Sequence, residues 1–187
     1  MNRTRHGKHQ IYMIKMCFVL LILVKVKNKH LLKQKKAKEL INRLEQQFNE
    51  SLDISVNEIF TGVIEDTVFY FVDQVPIALD INDHAMMTLR GLLKFHPKNR
   101  FVTVDMGAVR FVTNGADVMS PGIVDADTDI DVDMPVWIRD EQHHKPLAIG
   151  VALLSGEEMI RSKKGKAVKM IHFIGDSIWK MSAFDNE

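Results

Sequence analysis

The stretch FVTVDMGAVRFVTNGADVMSPGIVDAD, residues Phe101–Asp127, decides the fold of the second half of the chain. Gly107 follows Asp105 at a predicted strand-to-helix turn, and Gly115 follows a short apolar helix. Pro121-Gly122 then predicts a sharp turn before an acidic run. This punctuation is typical of a small barrel. Its turns expose backbone amides, and a shallow surface of amides flanked by cations is suited to a phosphodiester chain.

Two later stretches extend this pattern. KPLAIGVALLSGEEM occupies Lys145–Met159, and KKGKAVKMIHFIGDSIWKM occupies Lys163–Met181. The motifs GA-x-V-x-x-PGI, KPLA-x-G-x-A and IH-x-x-GD-x-x-W resemble, in order and spacing, those of a PUA domain, a compact RNA-binding pseudobarrel. The resemblance covers residues 98–187 and implies a β-pseudobarrel there.

With residues 25–97 in front, the chain resembles an archaeal relative of the malignant T-cell amplified sequence family and of ligatin. The resemblance implies an α+β protein, with a small α/β pre-PUA domain at 25–97 and a C-terminal PUA β-pseudobarrel at 98–187. It also implies a non-catalytic RNA-binding factor for tRNA or small-subunit rRNA, acting in translation initiation or recycling with the ribosome and a second translation factor. Two alternatives stay open, an accessory that delivers RNA to a separate modification enzyme and a protein-interaction scaffold.

The charge of the chain is unevenly distributed. The formal net charge is +1, but residues 1–44 hold 12 of the 25 lysines and arginines and only one acid, Glu39. Residues 45–187 are therefore acidic on balance, and the cations are concentrated in an N-terminal segment and a few later clusters. Such clusters of cations are suited to a partner that carries phosphates.

Residues 1–24 are predicted to be an apolar leader. The nine-residue run Met16–Val24 is shorter than the about 20 residues that a membrane-spanning helix needs, and no small-residue cleavage site follows it. Three interpretations stay open: translation begins near Met16 or at Val24, the run is a buried extra strand, or it is a membrane anchor. The single cysteine, Cys17, has no partner for an intramolecular disulfide, which is typical of the cytoplasm, where we expect the protein to act.

The first domain is predicted to begin with an edge strand at Lys25–Leu32, whose lysines discourage pairing with other edges. A helix should follow, because five apolar residues fall on one face at helical spacing. These residues are Ala37, Leu40, Ile41, Leu44 and Phe48.

Three strands are predicted next, at 59–64, 67–72 and 75–79. A second helix is predicted from His84 to about Phe95, with Asp83 as its cap and His96-Pro97 as its end. The short polar segment Pro97–Arg100 is the predicted domain boundary, and it is too short for a flexible tether.

In the second domain we expect six strands and two short helices. One helix should cover Ala108–Thr113, and another should begin after Ser155, whose spacing to Glu158 matches a capping box. The strands are predicted near Phe101–Val104, Val118, Pro135–Arg139, Leu147–Leu154, Val168–Ile174 and Ser177–Met181.

In the PUA family, RNA lies along the first helix, the following glycine-rich turn and the final strands. The resemblance implies that this path includes Arg110, Gly115, Ala116, Pro121, Gly122 and Lys169. A cationic turn around Gly165 adds candidate phosphate contacts at Arg161, Lys163, Lys164 and Lys166, with a merely solvated turn as the alternative. A second basic surface is predicted on the first helix at Lys35, Lys36, Lys38 and Arg43, again with a solvated face as the alternative.

Other candidate sites have simpler interpretations. The alternating acids from Asp125 to Asp133 lack the glycine and glutamate of a calcium loop, so we expect a solvated connection. His143-His144 is expected to be an exposed turn and His172 a structural histidine, while Trp137 and Trp179 are expected to pack rather than stack on bases. The sequence predicts no catalytic residue, metal or cofactor.

Overall fold

The computed structural model describes residues 26–81 and 84–181. The predictions for residues 1–24 lie outside this range. Among the helices of the described residues, none combines the length and the apolar character that crossing a membrane requires. The described chain forms two sheets, one of five strands and one of six.

The first sheet is antiparallel, and its five strands lie side by side in chain order. The helix α1, Gln34–Phe48, packs its apolar face into the core of this domain, so the predicted amphipathic helix is confirmed. Its Leu44 and Phe48 are almost fully buried, and burying side chains of this size stabilises the fold by about 1.5–3 kcal/mol each. The strands are β1 Lys27–Leu31, β2 Phe60–Ile64, β3 Thr67–Val72, β4 Val75–Ile81 and β5 His84–Met87.

The predicted helix His84–Phe95 is wrong in its first turn. Residues His84–Met87 form β5, which pairs with β4, and α2 spans only Leu89–Phe95. The helix cap is Thr88, whose Oγ1 accepts from Gly91 N at 3.1 Å and donates to Pro76 O at 2.6 Å. Residues His84–Met87 therefore form backbone hydrogen bonds with β4, which they could not form as the first turn of a helix. The proposed cap, Asp83, lies outside the described residues.

The second sheet has its strands in the order β7 Val118–Met119, β11 Lys166–Phe173, β10 Pro146–Ala152, β9 Pro135–Asp140, β6 Phe101–Val104 and β8 Ile123–Ala126. Its β6–β9 pair is parallel and its other pairs are antiparallel. Together with its own buried cluster, this nearly closed sheet confirms the predicted α+β fold with a C-terminal pseudobarrel. The helical elements of this domain are α3 Met106–Val112, a 3-10 turn Ser120–Gly122, α4 Gly156–Arg161 and α5 Ser177–Lys180.

Two predictions for the second domain need correction. The strand β8 was not predicted, because its acids give it no clear apolar alternation. The predicted strand at Ser177–Met181 is instead the helix α5, since Asp176 caps it by accepting from Trp179 N at 2.7 Å. The capping box of Ser155 and Glu158 at the start of α4 is confirmed.

The two domains share buried contacts. Trp137 and Ile149 of the second domain belong to the core cluster of the first. Arg90 of α2 donates to Trp179 O at 2.8 Å, and its guanidinium lies 5.0 Å from the centroid of the Trp179 ring. Between the sheets, Asn99 donates to Phe48 O at 2.9 Å. These contacts hold the short connection against both domains.

Candidate nucleic-acid interface

A groove of about 720 Å³ lies between α3 and the segment from β7 to the 3-10 turn. We name it the α3 groove. Its wall is mainly apolar, and its charged groups come from two acids and two cations. The lining residues are Asp105, Gly107, Ala108, Arg110, Phe111, Val112, Ala116, Asp117, Val118, Met119, Pro121, Gly122 and Lys166.

The floor of the groove depends on local capping and close packing. Asp105 caps α3 by accepting from Ala108 N at 2.7 Å, and Gly122 O accepts from Asp105 N at 2.9 Å. A Cβ atom at Gly122 would lie 2.9 Å from the Cβ of Ala108. Gly122 therefore lets the 3-10 turn approach α3 closely.

Gly115 lies in the turn that follows α3, as its position after a short apolar helix predicts. It has a φ of +82°, and a Cβ there would lie 2.6 Å from the Phe173 ring. The residue turns the chain after α3 and lets it pack on β11. Gly115 is not among the groove-lining residues, so its contact with RNA stays a prediction.

One wall of the groove carries an ion pair. Lys166 Nζ donates to Asp117 Oδ2 at 2.7 Å, and Asp117 Oδ1 accepts from Met170 N at 3.0 Å. The hydrogen bond from Lys166 and the one from the Met170 amide hold the pKa of Asp117 below its usual value. The carboxylate therefore stays ionised at neutral pH and keeps the Lys166 ammonium at the groove.

Arg110 and Phe111 form the opposite wall. The Arg110 guanidinium lies 4.6 Å from the centroid of the Phe111 ring, a cation–π arrangement. Phe111 is 52% exposed and Met119, across the groove, is 46% exposed. Sequence reasoning missed both, because apolar residues in a short apolar helix and strand indicate a buried position. Only the tertiary arrangement shows that they face solvent.

The cationic turn lies beside the groove. Gly165 O accepts from Ser120 N at 3.0 Å, and Lys166 pairs with Met119 in the sheet. Gly165 has a φ of +90° and open space around its Cα. Of the ten predicted RNA-contact residues, the groove lining includes Arg110, Ala116, Pro121, Gly122 and Lys166. Five lie outside it: Gly115 on the Phe173 side, and the exposed residues Arg161, Lys163, Lys164 and Lys169.

The four residues of the predicted second basic surface do not all have the same environment. Lys35, Lys36 and Lys38 are exposed on α1. Arg43 instead pairs with Asp80, from Nη2 to Oδ1 at 2.8 Å, and Asp80 Oδ2 also accepts from Tyr70 Oη at 2.6 Å. Lys36 and Arg43 line a second cavity, which Lys35 and Lys38 do not.

The alternating acids and the adjacent histidines, which were considered as metal ligands, have other surroundings in the structure. Asp127 accepts from Arg100 N at 2.6 Å and Asp125 lies 3.7 Å from Arg139, so two of the alternating acids tie their segment to the fold. Within residues 26–81 and 84–181, no three His, Cys, Asp or Glu side chains are grouped to hold a metal ion. His143-His144 is exposed, as expected.

The two tryptophans and His172 contribute to packing. Trp137 is 6% exposed and donates to Asn99 O at 2.8 Å. Trp179 is half-buried against Arg90. His172 is fully buried, with Nδ1 2.6 Å from Asp176 Oδ2, but its Nε2 is buried without a hydrogen-bond partner among the described residues.

Comparison with known proteins identifies both domains. Residues 100–174 match the PUA domain family, and residues 28–95 match the domain of unknown function DUF1947. An uncharacterized protein of Methanocaldococcus jannaschii is 40% identical over 159 residues, which are 83% of this chain and 98% of that protein. Translation machinery-associated protein 20 of Saccharomyces cerevisiae is 32% identical over 63% of this chain and 69% of its own length.

Other relatives match over a shorter region. The Drosophila melanogaster homolog of malignant T-cell-amplified sequence 1 is 40% identical over 51% of this chain and 54% of its own length. Among solved structures, a hypothetical protein from Pyrococcus horikoshii is 37% identical with a TM-score of 0.71, covering 83% of this chain and 99% of that one. The chain therefore belongs to the family of PUA-domain proteins with a DUF1947 N-terminal domain, whose relatives include malignant T-cell-amplified sequence 1 and translation machinery-associated protein 20.

Proposed function

We propose that the protein is a non-catalytic RNA-binding factor that acts in translation, and that the α3 groove receives an unpaired RNA segment. The observation that carries this proposal is the composition of the groove. The lining combines an apolar floor and the exposed Phe111 and Met119 with two cations, Arg110 and Lys166. Its two acids, Asp105 and Asp117, are already engaged with the Ala108 amide and with Lys166. Single-stranded RNA has the complementary composition, with flat apolar bases joined by anionic phosphates.

The size of the groove fits this use. Its volume, about 720 Å³, falls within the range of about 300–1,000 Å³ that is typical of ligand clefts. An A-form duplex offers mainly phosphates and 2′-hydroxyls on a broad surface, and it cannot place a base between Phe111 and Met119. An unpaired end or loop can turn a base inward and leave its phosphates at the rim.

The cationic turn extends the rim. Lys163 and Lys164 are exposed beside the groove, and Gly165 leaves room for close approach of a backbone. Phosphates that leave the groove on this side would meet these lysines. Each contact would release counterions and make the affinity depend on salt.

The relatives support a role in translation. Two proteins in yeasts that match this chain are named as associated with the translation machinery. We therefore propose tRNA or small-subunit rRNA as the RNA, the ribosome as the larger assembly and the cytoplasm as the location. The basic surface of α1, with Lys35, Lys36 and Lys38, would contribute a second contact at a distance fixed by the interdomain packing.

The experiment compares two RNA hairpins that differ only in an unpaired 3′ extension. We expect the extended hairpin to bind about 5- to 150-fold more tightly, since stacking of one base contributes about 1–3 kcal/mol. Equal affinity for the blunt hairpin would remove the unpaired-RNA proposal. Co-sedimentation with small ribosomal subunits at moderate salt would support the role in translation, whereas co-purification with an RNA-modifying enzyme and not with subunits would favour the delivery role instead.

A further inference from the structure

The strand β1, Lys27–Leu31, is an exposed edge. It lies at the end of the first sheet and, among the described strands, pairs with β2 alone. All five of its residues are exposed. Backbone N–H and C=O groups of an edge strand can bind a further strand. In β1 the register with β2 shifts between Lys27 and His30, and Asn28 O lies 2.7 Å from His30 Nδ1, so the edge is not regular along its whole length.

The inner side of β1 opens into the second cavity, of about 620 Å³, between β1 and α1. Its floor includes Leu32 and Leu40, which are both buried, and Lys33 and Lys36 line it on the helix side. A strand added beside β1 would direct alternate side chains toward this cavity. A long side chain with a carboxylate end fits both the apolar floor and the lysines.

At the far end of the same cavity, the charged side chains of Arg43 and Asp80 are already paired with each other. There Asp80 accepts from both Arg43 and Tyr70, at 2.8 and 2.6 Å. Burial, together with the bond to Asp80, raises the pKa of Tyr70 above its usual value, so its hydroxyl stays a donor. The other charged residues of the cavity lining, Lys33, Lys36 and Glu39, are exposed, so two cations and one acid are left to meet an incoming anion.

The outer side of β1 has a different character. Leu31 is 52% exposed and pairs directly with Phe60, which is 38% exposed. Lys29 Nζ lies 5.7 Å from the centroid of the Phe60 ring. The alternate side chains of an added strand would therefore meet an apolar pair with a cation beside it.

Charge favours an acidic occupant. Between Lys27 and Arg43 the chain has seven lysines and arginines and one acid, Glu39. Lysines on an edge strand oppose pairing with another copy of the same edge, but they attract a strand of opposite charge.

We propose that β1 is the docking edge for an extended acidic segment of a partner protein, which adds a strand to the first sheet. Its inward side chains are glutamates that reach Lys33 and Lys36, and its outward side chains are apolar and pack on Leu31 and Phe60. An extended peptide matches this surface better than RNA does, because the edge offers backbone hydrogen bonds and a cavity at the spacing of alternate side chains.

A labelled peptide of alternating Glu and Val tests the proposal against the full-length protein by fluorescence anisotropy. A peptide of the same composition, with the glutamates in one block and the valines in another, is the control for charge alone. We expect the alternating peptide to bind at least about tenfold more tightly. Hydrogen exchange at the amides of Lys27–Leu31 should slow when it binds.

The double charge reversal Lys29→Glu/Lys33→Glu should weaken peptide binding by about tenfold and leave binding of the RNA hairpin to the α3 groove unchanged. The matched variant Lys163→Glu/Lys164→Glu should do the reverse. Equal binding of both peptides, or no protection of the β1 amides at saturation, would overturn the proposal. RNA is the alternative occupant of this edge. If the charge reversal at the edge weakened binding of an oligouridylate and left binding of the peptide unchanged, the proposal would also be overturned.

Discussion

Lys166 Nζ lies 2.7 Å from Asp117 Oδ2, and both side chains line the α3 groove. The lysine is 61% exposed, so this ion pair contributes little to stability. The ion pair instead fixes the position of the Lys166 ammonium on the groove wall, because the Asp117 carboxylate is itself held by the Met170 amide. Arg110, stacked on Phe111, is the cation on the other wall.

Replacing either cation should lower RNA affinity through charge. We expect Arg110→Gln and Lys166→Gln each to weaken binding of the extended hairpin and to reduce the slope of log K against log salt by about 1. Titrations at several salt concentrations measure the slope. Lys145→Gln removes an exposed cation outside the groove lining and should leave the slope as it is. An unchanged slope in both groove variants would exclude Arg110 and Lys166 from the phosphate path.

Phe111 should contribute to RNA binding through stacking, which does not depend on charge. Phe111→Ala should cost about 1–3 kcal/mol of binding free energy, through lost stacking, while the salt slope stays constant. Because Phe111 is 52% exposed, the free energy of unfolding should change little. Phe111→Leu, which keeps an apolar side chain without an aromatic face, is the matched variant and should recover only part of the affinity. Full affinity in Phe111→Ala would mean that no base lies on this ring.

Much of the fold followed from local sequence signals. The helical spacing of Ala37 to Phe48 and the Ser155–Glu158 capping box predicted elements that the structure contains. Thr88 was missed as a cap because its position depends on β5 pairing with β4, which is a tertiary feature. Local hydrophobicity likewise predicted a strand at Ser177–Met181, although one carboxylate at Asp176 is enough to begin a helix there.

The candidate site was less accessible to sequence reasoning. Charge and motif identified Arg110, Pro121, Gly122 and Lys166, which line one groove. The exposed Phe111 and Met119 were missed because burial depends on which neighbours the fold supplies. The contact between Gly115 and Phe173 is equally invisible in the sequence, since the two residues are brought together only by the packing of β11.

Gly115→Ala should destabilise the protein for two separable reasons. The new Cβ would lie 2.6 Å from the Phe173 ring, and a φ of +82° costs a non-glycine residue about 1 kcal/mol. We expect the double variant Gly115→Ala/Phe173→Leu to recover stability relative to the expected sum of the single variants, because the smaller side chain relieves the collision. Urea denaturation measures all three variants. Strict additivity would contradict the contact.

The stability of the second domain should fall in acid through Asp176. Burial raises the pKa of this carboxyl, but hydrogen bonds from His172 and from the Trp179 and Phe173 amides outweigh burial and bring it below its usual value. A lowered pKa in the folded state means a contribution that is complete above about pH 4 and is lost as the pH falls through the folded pKa. Asp176→Asn should therefore be less stable at pH 6 and lose less stability between pH 6 and pH 3.

Denaturant unfolding at several pH values measures this dependence. Asp131→Asn makes the same change in charge on an exposed residue and should follow the parent protein. A parallel loss of stability in Asp176→Asn and the parent would remove Asp176 as the source.

Arg90 should couple the two domains through Trp179. Arg90→Ala removes the hydrogen bonds to Trp179 O, at 2.8 and 3.3 Å, and the guanidinium that lies over the ring. The chain has two tryptophans, so labelling with 5-fluorotryptophan should give one ¹⁹F resonance for each. We expect the Trp179 resonance to move and the Trp137 resonance to stay, with Lys94→Ala on the same helix as the control. Movement of neither resonance would contradict the coupling.

The most direct test of RNA binding in the α3 groove is photo-crosslinking of the extended hairpin with 4-thiouridine in its unpaired 3′ segment, followed by mass spectrometry of the peptides. The account predicts crosslinks to Phe111 or Met119, and their loss when the thiouridine is moved into the paired stem. Crosslinks confined to residues outside the groove and the cationic turn at 161–169, or equal crosslinking from the stem, would contradict it.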